Sequence, residues 1–142
     1  MANNEYRKLP VGIQSFNVIR EEGYLYVDKT DMIWKLANQG LKYNYLSRPR
    51  RFGKSVLIDT LQAYFEGRKD LFEGLKIMEL EKDWKQYPVI RLDMSRGGAT
   101  ANEVKAYLDR TFDVYEQLYG IHIKPTDSLG NRFDLIIKTA YK

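Results

Sequence analysis

The segment from Tyr43 to Phe65 constrains the fold of this chain more than any other part of its sequence. It starts with the β-prone run 43–46, passes through a basic turn that contains Gly53, and continues with apolar residues at helical spacing. Those apolar residues recur at positions i, i+1, i+4, i+7 and i+8, and they are Leu57, Ile58, Leu61, Tyr64 and Phe65. A strand that leads through a glycine turn into a helix predicts an α/β domain with a largely parallel sheet.

The turn between these two elements has the composition of a phosphate-binding loop, or P-loop. Gly53 allows the backbone to approach phosphate oxygens and to adopt a conformation that other residues resist. Lys54 is predicted to place its ammonium group on the β- and γ-phosphates of ATP, and the Ser55 hydroxyl is predicted to bind Mg²⁺. The N–H groups of the turn and the positive end of the helix dipole complete the predicted anion site. The predicted nucleotide-binding residues are Arg48, Pro49, Arg50, Arg51, Phe52, Gly53, Lys54, Ser55 and Val56.

The positive charge of the chain is concentrated in the same turn. The net charge is +4, and four basic residues fall within seven positions, namely Arg48, Arg50, Arg51 and Lys54. Subtracting these four from the 23 basic residues leaves 19, which equals the number of acidic residues. A local cluster of this kind favours a compact anion over a long nucleic-acid backbone. Two alternatives stay open. The turn is an ordinary solvated connection, or it belongs to a non-enzymatic module that binds nucleic acid or an acidic protein partner.

The rest of the chain predicts two more short strands, 24–27 and 89–94, and several helices. Few strands are visible for a doubly wound sheet, so we expect the remaining strands after Lys142. The turn 28–30 is interpreted as a helix cap. Helices are predicted within 12–23, within 28–40, from a Thr100–Glu103 capping box to Gly120, and across 133–141, with two short ones between 68 and 86.

Several runs of the sequence resemble the AAA-ATPase-like family of bacterial proteins, and they are 9–16, 23–30, 46–55, 64–67 and 71–75. In that family Arg48 is normal at the loop position where other P-loops have glycine. The resemblance also makes the turn 28–30 part of a recurring motif near the nucleotide, which leaves an adenine or ribose contact as the alternative to a helix cap. The resemblance implies a P-loop NTPase-type three-layer α/β sandwich with a mostly parallel sheet, incomplete at its C-terminal end. It makes residues 1–142 the N-terminal part of one ATPase-like domain, with 1–41 as a helical and strand lead-in and 42–142 as a truncated P-loop core. Family members often carry a restriction-nuclease-like domain, so nucleic acid is an expected partner only through domains that this sequence lacks.

Hydrolysis by a P-loop protein also requires an acidic residue at the end of an apolar strand, which orients Mg²⁺ and water. Asp93, which follows the run 89–92, is the catalytic candidate that the sequence offers beside Lys54. The alternative for Asp93 is a turn or capping contact at residues 95–98. In the family that the chain resembles, the Mg²⁺-binding strand follows the helix that ends here at Lys142. We therefore expect the chain to bind ATP weakly and to hydrolyse it negligibly.

The composition of the chain indicates the cellular compartment in which the protein works. The sequence has no cysteine, which excludes disulfides and thiolate metal sites. Its first residues lack the apolar run of a secretory signal, and no stretch approaches the roughly 20 apolar residues that a membrane-spanning helix requires. We therefore expect a cytoplasmic protein that binds ATP and does not contact membranes.

Overall fold

The computed structural model describes residues 6–49, 51–122 and 127–141. Contacts divide the chain into two units, residues 1–87 and residues 88–142. The predicted boundary between residues 41 and 42 falls inside the first unit, between two of its helices. The α-helices are α1 (Phe16–Glu21), α2 (Thr30–Asn38), α3 (Lys54–Phe65), α4 (Ile77–Leu80), α5 (Ala101–Leu118) and α6 (Leu129–Ala140), and 3₁₀ turns lie at Lys69–Phe72 and Met94–Arg96.

The predicted α/β sandwich with a parallel sheet is wrong. The described residues form helices and extended segments, but no strand and no sheet. Side chains with high β-propensity fit a paired, half-buried surface, and a strand forms only where another strand supplies partners for its backbone. The predicted strands 24–27, 43–46 and 89–94 find no such partner among the described residues. In the second of them, Tyr43 and Tyr45 are 91% and 92% exposed.

In the segment 89–94, which was predicted as a strand, two backbone N–H groups donate hydrogen bonds to side chains and not to a neighbouring strand. The N–H of Arg91 donates to the Tyr115 hydroxyl at 2.8 Å, and the N–H of Asp93 donates to the Tyr107 hydroxyl at 2.7 Å. Both tyrosines belong to α5. Side chains of a helix therefore take the place that a neighbouring strand would occupy.

The first unit closes around one hydrophobic core. α1 packs against α3 and the 69–72 turn, and α2 packs against α4. The rings of Phe16 and Phe72 lie with their centres 5.1 Å apart, and both side chains are fully buried. Burial of one such side chain stabilises the fold by about 1.5–3 kcal/mol. The core consists of Phe16, Ile33, Ala63, Leu71, Phe72, Leu75 and Ile77.

The turn 28–30 joins α2 to the segment that leads into α4. The Asp28 carboxylate accepts hydrogen bonds from the N–H and the hydroxyl of Thr30, at 2.9 and 2.7 Å, and from the N–H of Lys76 at 2.8 Å. The buried Thr30 hydroxyl accepts from the N–H of Ile77 at 3.1 Å. One carboxylate and one hydroxyl thus satisfy N–H groups at the start of two helices. The interpretation of residues 28–30 as a capping turn is confirmed, although the N-cap residue of α2 is Lys29, whose side chain makes no cap bond.

In the second unit α5 packs against α6. The predicted capping box is confirmed, because the Thr100 hydroxyl accepts from the N–H of Glu103 while the Glu103 carboxylate accepts from the N–H of Thr100 at 2.9 Å. Farther along, Phe112 stacks on Phe133 with the ring centres 5.5 Å apart and the planes 10° from parallel. The helices predicted after residue 100 and across 133–141 are both present.

Arg132 ties α6 to three carboxylates on α5. Its guanidinium donates to both carboxylate oxygens of Glu116 at 2.8 Å, and these two side chains are 7% and 5% exposed. It also donates to Asp109 at 2.8 Å and to Asp113 at 2.7 Å. The hydrogen bonds with Glu116 are the main reason that the pKa of Arg132 is raised. A single buried cation therefore joins three carboxylates of α5 to α6 in one hydrogen-bond network.

Candidate phosphate-binding loop

α3 carries the predicted loop at its N-terminus and is fixed to the core along its length. Thr60 and Ala63 are buried, and Val56 and Leu57 pack partly against the core. The Thr60 hydroxyl donates to the carbonyl oxygen of Val56 at 2.7 Å. Residues 51–55 are exposed. The loop is thus attached to a firmly packed helix while its own atoms face solvent.

Gly53 is the N-cap residue of α3, with φ 72° and ψ 18° in the left-handed region. This confirms the prediction that this position needs glycine for its backbone conformation. The N–H of Leu57 donates to the carbonyl oxygen of Gly53 at 3.0 Å and closes the first helical turn. No side chain of the described residues caps α3. The N–H groups at the very start of the helix, at Lys54 and Ser55, are therefore available to a ligand.

Arg51 shares the left-handed conformation, with φ 67°. For a residue with a side chain, this conformation costs roughly 1 kcal/mol and persists only where the surroundings hold it. Among the described residues of the loop, Arg51 and Gly53 are left-handed, and Phe52 separates them. Turns that alternate in this way direct successive N–H groups toward one side, which is the geometry of anion-binding loops.

Three basic side chains of the loop have no carboxylate partner among the described residues. Arg48, Arg51 and Lys54 are exposed, and within the described ranges none of them forms an ion pair. The Lys54 ammonium donates to the carbonyl oxygen of Arg48, across the loop. This contact folds the lysine back over the turn and keeps its charge beside the uncapped start of α3. Helix dipole and side-chain charge therefore have the same sign at this place.

The remaining predicted loop residues differ in their surroundings. Pro49 and Ser55 are exposed, Phe52 is 62% exposed, and Val56 is partly buried against the core. Arg50 lies outside the described residues. Ser55 is the second residue of α3, directly after Lys54.

Asp93 is the N-cap of the 3₁₀ turn Met94–Arg96. Its carboxylate accepts from the N–H and the hydroxyl of Ser95, at 3.1 and 2.5 Å, and pairs with Arg96 at 3.2 Å. The hydrogen bonds from Ser95 hold the pKa of Asp93 below its usual range. The capping contact that the sequence offered as the alternative is confirmed. Lys54 belongs to the first unit and Asp93 to the second, and a joint catalytic role for them stays a prediction.

Sequence reasoning missed a cleft at the opposite end of α3. Tyr64 packs partly against the core, as its place in the helical stripe predicts. Tyr64 and Phe65 also line this cleft, together with Trp84 and Tyr87. The signal in the sequence was the recurrence of aromatic residues at 64, 65, 84 and 87 around two carboxylates, Glu81 and Asp83.

The described residues also bear on the expectations for membranes and metals. No helix in the described part of the chain is long and apolar enough to cross a bilayer. Within the same ranges, no three histidine, cysteine, aspartate or glutamate side chains gather in a group that fits a metal ion.

The chain was compared with known proteins. It is 39% identical over 138 residues to an uncharacterized protein in the vnfD 5' region of Azotobacter chroococcum mcd 1. The alignment covers 95% of this chain and 26% of that protein, so the chain spans about a quarter of the relative's length. No solved structure matches. A family model described as Predicted AAA-ATPase matches residues 10–142. This match takes in the loop and both units, and the chain therefore belongs to the family of predicted AAA-ATPases.

Proposed function

We propose that this chain binds ATP, together with Mg²⁺, through the loop of residues 48–56. The observation that carries the proposal is the uncapped start of α3, with three basic side chains beside it that have no carboxylate partner in the described ranges. Such a helix end offers N–H donors and positive potential to an anion. Membership of a family of predicted ATPases supports a nucleotide as that anion.

Each residue of the loop has a proposed task. Gly53 keeps a side chain away from the place where phosphate oxygens approach. The Lys54 ammonium exchanges the carbonyl oxygen of Arg48 for the β- and γ-phosphates. The Ser55 hydroxyl holds Mg²⁺, which neutralises phosphate charge when bound. Arg48 and Arg51 add positive potential at the rim of the site.

Hydrolysis is proposed for an intact ATPase domain of this family and not for residues 1–142 alone, because the chain spans 26% of its relative's length. In that reaction a water oxygen bonds to the γ-phosphorus while the bond to the ADP oxygen breaks, and catalysis rests on positioning and electrostatics. Asp93 is the acid that this chain offers for orienting the water. It would have to exchange its bonds with Ser95 and Arg96 for that role.

Thermal unfolding with and without MgATP tests the binding proposal. At a nucleotide concentration of about ten times Kd, binding to the native state stabilises it by about 1.4 kcal/mol, which raises Tm by about 3–6 °C. Lys54→Ala should abolish most of this shift. Lys69→Ala removes an exposed lysine of the same unit outside the loop and should leave the shift unchanged.

The same variants separate the proposal from the alternative module. Nucleic acid would be favoured as the ligand of the loop by two results together. MgATP would leave Tm unchanged, and DNA binding would weaken steeply with salt and in Lys54→Ala. Stabilisation of equal size in the native chain and in Lys54→Ala would place the nucleotide elsewhere. Either result contradicts the proposal.

A further inference from the structure

A cleft of about 180 Å³ lies beside the C-terminal end of α3. It is distinct from the phosphate loop, because the helix rise of 1.5 Å per residue places the two ends of this 12-residue helix about 16 Å apart. Sites for drug-sized ligands usually enclose about 300–1,000 Å³. The cleft therefore fits a small molecule or a single head group, and it is too small for a nucleotide.

Four aromatic rings form much of the wall. Tyr64 meets Phe65 with ring centres 5.2 Å apart and Trp84 with ring centres 6.0 Å apart, while Phe65 and Tyr87 lie 6.0 Å apart. The planes of these pairs meet at 66°, 67° and 79°. All four rings line the cleft. Their faces carry negative electrostatic potential, which attracts cations.

The cleft is also lined by the Glu81 carboxylate, which has no ion-pair partner among the described residues. Glu81 accepts from the Tyr64 hydroxyl at 2.5 Å and from the N–H groups of Lys82 and Asp83, both at 3.0 Å. These bonds, the one from Tyr64 first, hold the pKa of Glu81 below its usual range, so the group is ionised at neutral pH. Along the described chain Glu81 has no ion-pair partner, whereas Asp83 is paired with Lys85 at 3.8 Å. The lining therefore carries one uncompensated negative charge.

The wall is held in place by an unusual backbone. Trp84 has φ 44°, a left-handed conformation that is rare for a residue with a bulky side chain. The segment approaches Gly67 so closely that a Cβ there would lie 2.6 Å from the Gln86 side chain and 3.2 Å from the carbonyl oxygen of Trp84. The N–H of Tyr87 donates to the carbonyl oxygen of Phe65 at 2.7 Å. The aromatic wall is thus fixed before any ligand arrives.

We propose that this cleft binds a small organic cation, with the rings of Tyr64 and Trp84 against an alkylammonium group and the Glu81 carboxylate as its counter-charge. Aromatic walls with a nearby acid favour a quaternary or alkylated ammonium, whose charge is spread over carbon atoms and is weakly hydrated. The inference does not depend on ATP binding at the loop, because the two sites share no side chain.

Choline and its neutral isostere 3,3-dimethylbutan-1-ol test the proposal on the unmodified chain. The chain has two tryptophans, so its ¹H–¹⁵N correlation spectrum contains two indole signals, and Trp34 does not line the cleft. Choline should shift the Trp84 indole signal saturably in the millimolar range and leave the Trp34 signal in place. The isostere has the same shape without the charge and should bind at least about fivefold more weakly.

Glutamate variants test whether the Glu81 carboxylate is the counter-charge for choline. Glu81→Gln should weaken choline binding about tenfold, because it removes the counter-charge and keeps the size of the side chain. Glu79→Gln makes the same change on α4 outside the cleft and should have no effect. Lys54→Ala should leave the choline response unchanged, which separates this proposal from nucleotide binding. An equal response to the isostere, no shift of the Trp84 signal, or equal binding by Glu81→Gln and Glu79→Gln would overturn the proposal.

Discussion

Replacing Arg132 with methionine should destabilise the second unit by about 3–4 kcal/mol. The side chains of Arg132 and Glu116 are 7% and 5% exposed, and removal of one partner of a buried ion pair costs about 3–5 kcal/mol because the other charge is left without compensation. Asp109 and Asp113 are about half exposed and contribute at most about 1 kcal/mol each. The destabilisation thus depends mainly on the stranded Glu116 carboxylate.

Two further variants isolate that cause. Lys138→Met breaks an exposed ion pair with Asp134 on the same helix and should cost less than about 0.5 kcal/mol. Arg132→Met combined with Glu116→Leu removes both buried charges and should recover most of the loss, since a buried pair is often replaced by apolar groups without penalty. Comparing the unfolding free energies of these variants shows whether the loss comes from the unpaired buried Glu116 charge or from a general sensitivity of α6 to substitution.

Urea unfolding followed by circular dichroism gives the free energies, and hydrogen exchange of α5 and α6 amides localises the effect. The slope of the free energy against urea should stay constant across the four chains. The reasoning is refuted if Arg132→Met lies within about 1 kcal/mol of Lys138→Met. It is also refuted if the double variant is no more stable than Arg132→Met alone.

Three other changes have defined outcomes. Gly67→Ala should lower the unfolding free energy by more than about 1 kcal/mol and reduce the shift of the Trp84 indole by choline, because φ is 70° and the added Cβ meets Gln86 at 2.6 Å. Partial burial raises the pKa of Asp28, but hydrogen bonds from Thr30 and from the Lys76 amide outweigh this effect and hold the pKa below its usual value. The ionised Asp28 therefore stabilises the folded state above the unfolded-state pKa, and this stabilisation is lost as pH falls. Asp28→Asn should accordingly flatten the loss of stability below about pH 4 in acid titrations. Asp93→Asn should leave MgATP binding by calorimetry unchanged, since its carboxylate is occupied by Ser95.

Sequence patterns predicted those features of the fold that depend on neighbours along the chain. The capping box at Thr100 and Glu103, the cap at Asp28 and the left-handed Gly53 all follow from local geometry. Each involves residues within a few positions of one another, so the residue types specify the contact. The left-handed conformation of Arg51 was not predictable, because arginine has no intrinsic preference for it.

Contacts between distant residues were out of reach of the same reasoning. The β-prone run 89–94 was predicted as a strand, but its N–H groups at 91 and 93 are satisfied by tyrosines of α5 that follow more than ten residues later. The acids at 109, 113 and 116 show helical spacing in the sequence, yet nothing local names Arg132 as their partner. Propensity fixes what a segment favours, and tertiary partners decide what it forms.

In the candidate phosphate loop, some features also follow from the local sequence and others only from the structure. The position of Lys54 at the first residue of α3 agrees with the sequence pattern of a phosphate loop. The contact of its ammonium with the Arg48 carbonyl and the lack of a capping side chain for α3 come from the structure alone. These two observations turn a sequence motif into a defined arrangement of donors.

Amide hydrogen exchange of the loop, measured with and without MgATP, tests the central claim most directly. The account predicts that exchange slows at residues 51–56, where the N–H groups at the start of α3 would bind phosphate oxygens, and that Lys54→Ala removes most of this protection. Peptides of the second unit serve as the internal reference. Unchanged exchange at 51–56 under saturating MgATP, or protection that persists in Lys54→Ala, would contradict the account.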